Sequence, residues 1–417
     1  MDEKPAPPPV PITFPDGGLR AWLQVVVGFF LMLNTWGLIN CFGVFETYYT
    51  TTLSPPLAAT FSVAWIGSLQ LFLLLFVGAF CGQAFDAGWT TPLAVTGSLL
   101  CIVGMLCTSF SHLFWQTLLA QGICTGLGMG LLFVPSVTLA ATYFQRYRAR
   151  ALGVVTTGAS VGGIIYPIAL RQLTAEVGFA WAVRAITLVI LVTLSISCLL
   201  IQPRTDLPRP KKYTLISTIK NARIHFTQPS FTIYLVSMFF MFLGLLVPYN
   251  YLEEWITDME IDMGRFPTAY ILSLMNAAGV LGRLIPSVLS DLAISPILVQ
   301  AFSVLACGIL NLCWLRLHSA AGVLVWAIFY GFFSGASVSL PPASMAKQTA
   351  DLSTLGVRMG LMFTVASFGS LISYPVVAAL LKSAAGWDAA RVWAGVVLFV
   401  GGVGMGWMGW VVYKVKD

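Results

Sequence analysis

Arg150-Ala-Leu-Gly-Val-Val-Thr-Thr-Gly-Ala-Ser-Val-Gly-Gly-Ile-Ile-Tyr166-Pro167 is answered 208 positions later by Arg358-Met-Gly-Leu-Met-Phe-Thr-Val-Ala-Ser-Phe-Gly-Ser-Leu-Ile-Ser-Tyr374-Pro375. Arg, Tyr and Pro coincide, and small residues cluster at similar places between them. Each stretch opens on a basic residue at one edge and is expected to end in a Tyr-Pro break near the other. The match predicts a duplicated chain with two parallel halves.

What surrounds these stretches sets the solvent. Hydrophobic residues make up 58% and charged residues 9% of 417 residues, against about 25% charged in a soluble domain. Twelve apolar segments can be marked: Leu19–Phe45, Phe61–Phe85, Pro92–Phe110, Leu113–Tyr143, Ala149–Gln172 and Trp181–Ile201, then Phe231–Leu252, Pro267–Leu289, Pro296–Leu317, Ala320–Ala346, Val357–Leu381 and Ala389–Val412. Each is long enough to cross hydrocarbon of ~30 Å. The expected organisation is a disordered cytosolic tail (1–18), a six-helix half (19–201), a cytosolic linker (202–230) and a second six-helix half (231–413). The fold class is thus all-α, a membrane protein of twelve helices in two pseudo-symmetric halves, and substrate in such a pair binds near the midplane between them.

Lys and Arg set the orientation. With both termini cytosolic, the inner edges hold Lys4, Arg20, Arg146, Arg148, Arg150, the basic linker, Lys347, Arg358, Lys414 and Lys416. The acidic run Glu253, Glu254, Asp258, Glu260 and Asp262 then falls outside. The net charge of +6 is explained by attraction to anionic lipid, and no motif accompanies it that would bind nucleic acid. The residues before Asp16 are polar and proline-rich and lack the pattern of a cleaved signal.

Several chemistries find no support. The eight cysteines include no C-x-x-C pair and read as buried thiols. His112, His225 and His318 fall at loops or helix ends, so no metal site or base at membrane depth is expected. Gly126-Leu127-Gly128-Met129-Gly130 lacks the strand and the Lys-Ser/Thr of a phosphate loop and reads as close packing or a bend near Pro135.

Arg283 stands out in the apolar run Leu274-Met-Asn-Ala-Ala-Gly-Val-Leu-Gly-Arg283-Leu-Ile-Pro286. A charge at a membrane helix centre costs roughly 2.5–3.5 kcal/mol, so it must face protein, water or a ligand. Its guanidinium can clamp a carboxylate, or it can serve structurally, bonded to carbonyls or to Asp291. Asn276 lies two turns earlier on the same helix face. Asn34, Gln70, Gln121 and Asn311 are polar residues in apolar helices that line a cavity or bond between helices. Trp36, Phe45, Tyr249, Trp326 and Tyr374 offer an aromatic lining.

The chain resembles the monocarboxylate porter branch of the major facilitator superfamily, especially its fungal members. The resemblance rests on Pro15-Asp16-Gly17-Gly18 with Trp22, on Trp36-Gly37-Leu38-Ile39-Asn40-Cys41-Phe42-Gly43-Val44-Phe45 with Tyr48-Tyr49, and on Tyr143-Phe-Gln-Arg-Tyr-Arg148 followed by Ala151, Gly153, Gly158 and Gly162-Gly163. It implies that Arg283 serves anionic substrate or gating. Proton-coupled members also carry an aspartate one turn before this arginine and a lysine near the outer end of the first helix. Here those positions hold Gly279 and Asn40, so lactate-like symport is not expected. Uniport, or coupling through another acid such as Glu46, stays open, although Glu46 reads more readily as a solvated helix end. The G-x-x-x-D loops of the superfamily keep Asp86 and Asp291 but not the basic residues beyond them. These aspartates, with Arg148, Arg150 and Arg358, are the expected cytosolic gate.

The expected function is secondary transport of a small organic solute, an organic acid or monocarboxylate-like anion, by alternating access. The alternative is efflux of a fungal secondary metabolite, and a non-transporting sensor ranks below both. The candidate substrate or gating residues are Arg283, Asn276, Asn40, Asn34 and Tyr374. The protein is expected to be no enzyme, to need no cofactor and to act as a monomer in the plasma membrane.

Overall fold

A computed structural model describes residues 15–52, 60–204, 228–292, 295–349 and 355–414. Residues 1–14 of the expected tail and 205–227 of the expected linker lie outside the described residues. The described chain contains 12 helical spans long and apolar enough to cross a membrane. Spans 1 to 6 are Gly18–Thr50, Val63–Gly82, Thr90–Thr108, Phe114–Tyr143, Arg148–Val177 and Phe179–Leu200. Spans 7 to 12 are Pro229–Asp258, Thr268–Ser290, Pro296–Arg316, Ala320–Ser339, Arg358–Leu381 and Gly386–Val411. An even number of crossings leaves both ends of the bundle on one side, termed here the terminal face; the other is the distal face.

The packing repeats after six spans. Span 1 packs on span 5 and span 7 on span 11; span 2 on span 4 and span 8 on span 10; span 3 on span 6 and span 9 on span 12. The halves meet along two seams, spans 2 with 11 and spans 5 with 8, which exchange under the same repeat. Lipid gives helices no hydrophobic reason to associate, so close backbone approach does much of the work. A Cβ added to Gly128 would sit 2.7 Å from Cys101 N and Gly97 O, which explains the glycines of span 4 as packing between spans.

Two expectations need correction. The Tyr-Pro pairs do not break their helices: Pro167 lies inside Arg148–Val177 and Pro375 inside Leu355–Leu381. A proline inside a membrane helix frees one backbone carbonyl, and neighbouring helices tolerate it. Conversely, the first and seventh apolar segments are interrupted. Span 1 is built from Gly18–Asn34, Trp36–Ile39 and Phe42–Thr52. Span 7 is built from Pro229–Gly244 and Val247–Asp258, with Pro248 unable to donate a backbone bond across the interruption. Spans 1 and 7 occupy the same place in each half, and discontinuous helices in matching positions mark the central path of such carriers.

Gly128→Leu should lower the thermal midpoint of the purified protein, since overpacking costs about 1–3 kcal/mol. Gly406→Leu should leave it in place, because the nearest atom to an added Cβ is 3.9 Å away. An unchanged midpoint for Gly128→Leu would contradict this packing.

Candidate functional site

The interruption in span 1 places Asn40 where it meets the other half. Its Nδ2 donates to Asn276 Oδ1 at 3.0 Å. Asn276 Nδ2 donates to Leu272 O at 3.0 Å within its own helix and to Gly163 O of span 5 at 3.3 Å. Only a glycine at 163 admits this, since a Cβ there would collide with the Asn276 amide. Two candidates from opposite halves thus form one bond across the seam.

Distal to that bond the path is shut in layers. Phe42 of span 1 stacks on Tyr374 of span 11, ring centroids 6.3 Å apart and planes 6° from parallel. Gly43 abuts Asn250 of span 7, so that an added Cβ would lie 3.5 Å from its Cα. Nearer the face, Arg171 of span 5 and Glu253 of span 7 form a two-pronged ion pair across the halves. Arg171 carries no motif that singles it out in the sequence. Its signal was the acidic run of span 7 expected at the same face.

On the terminal side of the Asn40–Asn276 bond lies a narrow cleft with about 20 Å³ of internal room, enough for a water or two in this conformation. Trp36, Phe133, Phe242 and Phe363 supply most of its aromatic wall, from both halves. Arg283 is its one charged lining residue and is only 5% exposed. Arg283 Nε donates to Ser160 Oγ at 3.0 Å across the seam. Among the described residues that is the guanidinium's one hydrogen bond, which leaves both terminal nitrogens free to donate. Gly279 faces the same serine: a Cβ there would stand 3.2 Å from Ser160 Oγ. A neutral hydroxyl therefore stands where the family resemblance implied an acidic partner. Ser160 was missed in the sequence because nothing separates it from the other small residues of span 5.

The remaining candidates lie elsewhere. Asn34 ties spans within one half: its Nδ2 donates to Phe30 O at 2.7 Å and Thr193 Oγ1 at 2.9 Å, and its Oδ1 accepts from Tyr166 OH at 2.6 Å. It does not line the cleft. Gln121 and Asn311 likewise bond within their halves, to Tyr49 and to Tyr330. At the terminal face, Arg148 Nε donates to Phe144 O at 3.0 Å, and Arg150 lies over the Tyr147 ring at 5.3 Å. Arg358 lies over the Phe231 ring at 4.5 Å and donates to Gln348 O at 3.3 Å. These contacts stay within one half. The side chains of Asp86 and Asp291 lie outside the described residues. Asp16 of the opening motif proves to be a clasp: its Oδ1 accepts from the backbone N–H of Gln145 at 2.6 Å and Arg146 at 2.8 Å.

The distal closure predicts a specific cross-link. With Gly43→Cys and Asn250→Cys, oxidation should join the halves, since a Cβ at position 43 would stand 3.5 Å from the Asn250 Cα, a close approach of the two backbones. After cleavage at a protease site placed between residues 205 and 227, the halves should stay together until reductant is added. Halves that separate under both conditions would contradict the closure.

Known proteins agree with the architecture. The pattern of the Major Facilitator Superfamily matches residues 26–347. An MFS-type transporter of Gibberella zeae is 35% identical over 373 residues, covering 89% of this chain and 82% of its own. The Aspyridones efflux protein apdF of Emericella nidulans is 34% identical, with 95% and 80% covered, and the Fujikurins efflux protein of Gibberella fujikuroi is 32% identical, with 93% and 82% covered. Among solved structures, a peptide transporter POT bound to alafosfalin has a TM-score of 0.74 over 96% of this chain and 97% of its own; at 13% identity the likeness is one of fold. A twelve-span bundle of paired halves, matched by these relatives over most of its length, is a multi-pass membrane transporter and not an enzyme: the chain belongs to the Major Facilitator Superfamily.

Proposed function

We propose that this transporter exports a small, largely apolar organic acid, and that it sits in the fungal branch related to monocarboxylate porters. The observation that carries the reading is Arg283, the one charge in an aromatic cleft, with both terminal nitrogens unbonded among the described residues. An acid's carboxylate or enolate oxygens would take those donors while its carbon skeleton rests on Trp36, Phe133, Phe242 and Phe363. A proton-coupled lactate carrier fits less well, because Gly279 and Asn40 supply no titratable partner. Export is favoured by the relatives named for efflux of aspyridones and fujikurins.

The terminal face is assigned to the cytosol from the excess of Lys and Arg at the terminal-side ends of the spans. With the distal layers closed, loading is assigned to the cytosolic side, as an exporter requires. Arg148, Arg150 and Arg358, with Asp86 and Asp291, stand at the face that must close in the next half of the cycle. One chain contains the whole cleft, so the working unit is a monomer, placed in the plasma membrane.

Flux in proteoliposomes tests this directly. Arylalkyl carboxylic acids should be moved and their methyl esters moved poorly. Loss of a charge-assisted bond, about 1.5–3 kcal/mol, predicts that Arg283→Gln lowers acid flux roughly tenfold or more. Arg283→Gln with full acid flux would overturn the anion site.

A further inference from the structure

We propose that Glu46 is a proton-binding site built into the distal closure, and that shutting the distal face takes up one proton there. Glu46 lies on the last helical piece of span 1 and is only 7% exposed. Its Oε1 is buried without a hydrogen-bond partner. Another buried, unpartnered polar atom belongs to span 7 in the same closure, Tyr251 OH. The interruptions of spans 1 and 7 bring these groups together at the point where the halves meet.

Among the described residues, the groups around Glu46 do not supply a free cation. Span 7 contributes Tyr251 and Glu254, both in electrostatic reach of the carboxyl. Span 11 contributes Tyr374. Span 5 contributes Arg171, which is engaged by Glu253. The neighbouring stretch of span 2, residues 63–70, has no titratable side chain, and span 1 itself adds Cys41, Tyr48 and Tyr49. Burying an ionised carboxylate without a counter-charge is costly, whereas the neutral acid is not, so closure and proton uptake are linked. When the distal face opens, Glu46 meets water and the proton leaves to it. The sign follows: the closed form binds the extra proton, so it is favoured at low distal pH and loses ground as pH rises.

The test uses the full chain in nanodiscs, with Cys107 and Cys313 replaced by Ser and spin labels at Val177→Cys and Met259→Cys. These positions end spans 5 and 7 at the distal face and are 51% and 48% exposed. Distance distributions should be short at about pH 5 and gain a longer population at about pH 8, a range that spans ordinary and buried carboxyl titration. Glu46→Gln, a permanent neutral mimic of the same shape, should remain short at both. Glu254→Gln should keep the pH response. A Glu46→Gln chain that still opens with rising pH, a response that vanishes only in Glu254→Gln, or no response in the unsubstituted chain would each overturn the proposal.

Discussion

In hydrocarbon, burying a leucine gains little, so two halves of a membrane protein hold together by close backbone approach and by polar bonds. The seam between spans 5 and 8 uses both. Gly163 lets Asn276 reach a backbone carbonyl, and Ser160 accepts from Arg283 a further two turns along the same helix face. The distal closure depends on this contact, because Asn276 also receives Asn40 from span 1. If the seam parts, Asn276 loses two of its partners at once.

The same seam explains how Arg283 is tolerated at membrane depth. It is buried, bonded through one nitrogen to a serine, and open through the others to a cleft. A permanent carboxylate partner would neutralise the arginine and compete with an incoming anion. A serine satisfies one donor and leaves the charge in place. The aromatic walls then lower the local dielectric and strengthen whatever bond the remaining donors make.

Sequence alone reached the twelve spans, because runs near twenty apolar residues have few other uses. It also reached the duplication, since Arg150 and Arg358 open matching helices. The interruptions at Thr35, at Asn40–Cys41 and at Leu245–Leu246 were hidden, because the segments around them stay apolar; Pro248 was the one local cue. Residue type could not separate Asn34 from Asn40. They lie six positions apart in one span, yet one bonds within its half and the other across the seam. Only the packing of a second half distinguishes them. The expected aspartate gate falls on side chains outside the described residues, so the terminal face is known from its arginines.

The central claim is that Arg283 lines a path reached from the terminal face while the distal face is shut. Thiol labelling of Arg283→Cys in sealed vesicles of known orientation, with Cys107 and Cys313 replaced, measures it most directly. A membrane-impermeant reagent should modify the cysteine from the terminal face, and Gly43→Cys with Asn250→Cys oxidised should leave that reaction intact while abolishing reaction from the distal face. No modification from either face would show that Arg283 is a structural bond in a dry seam and contradict the account.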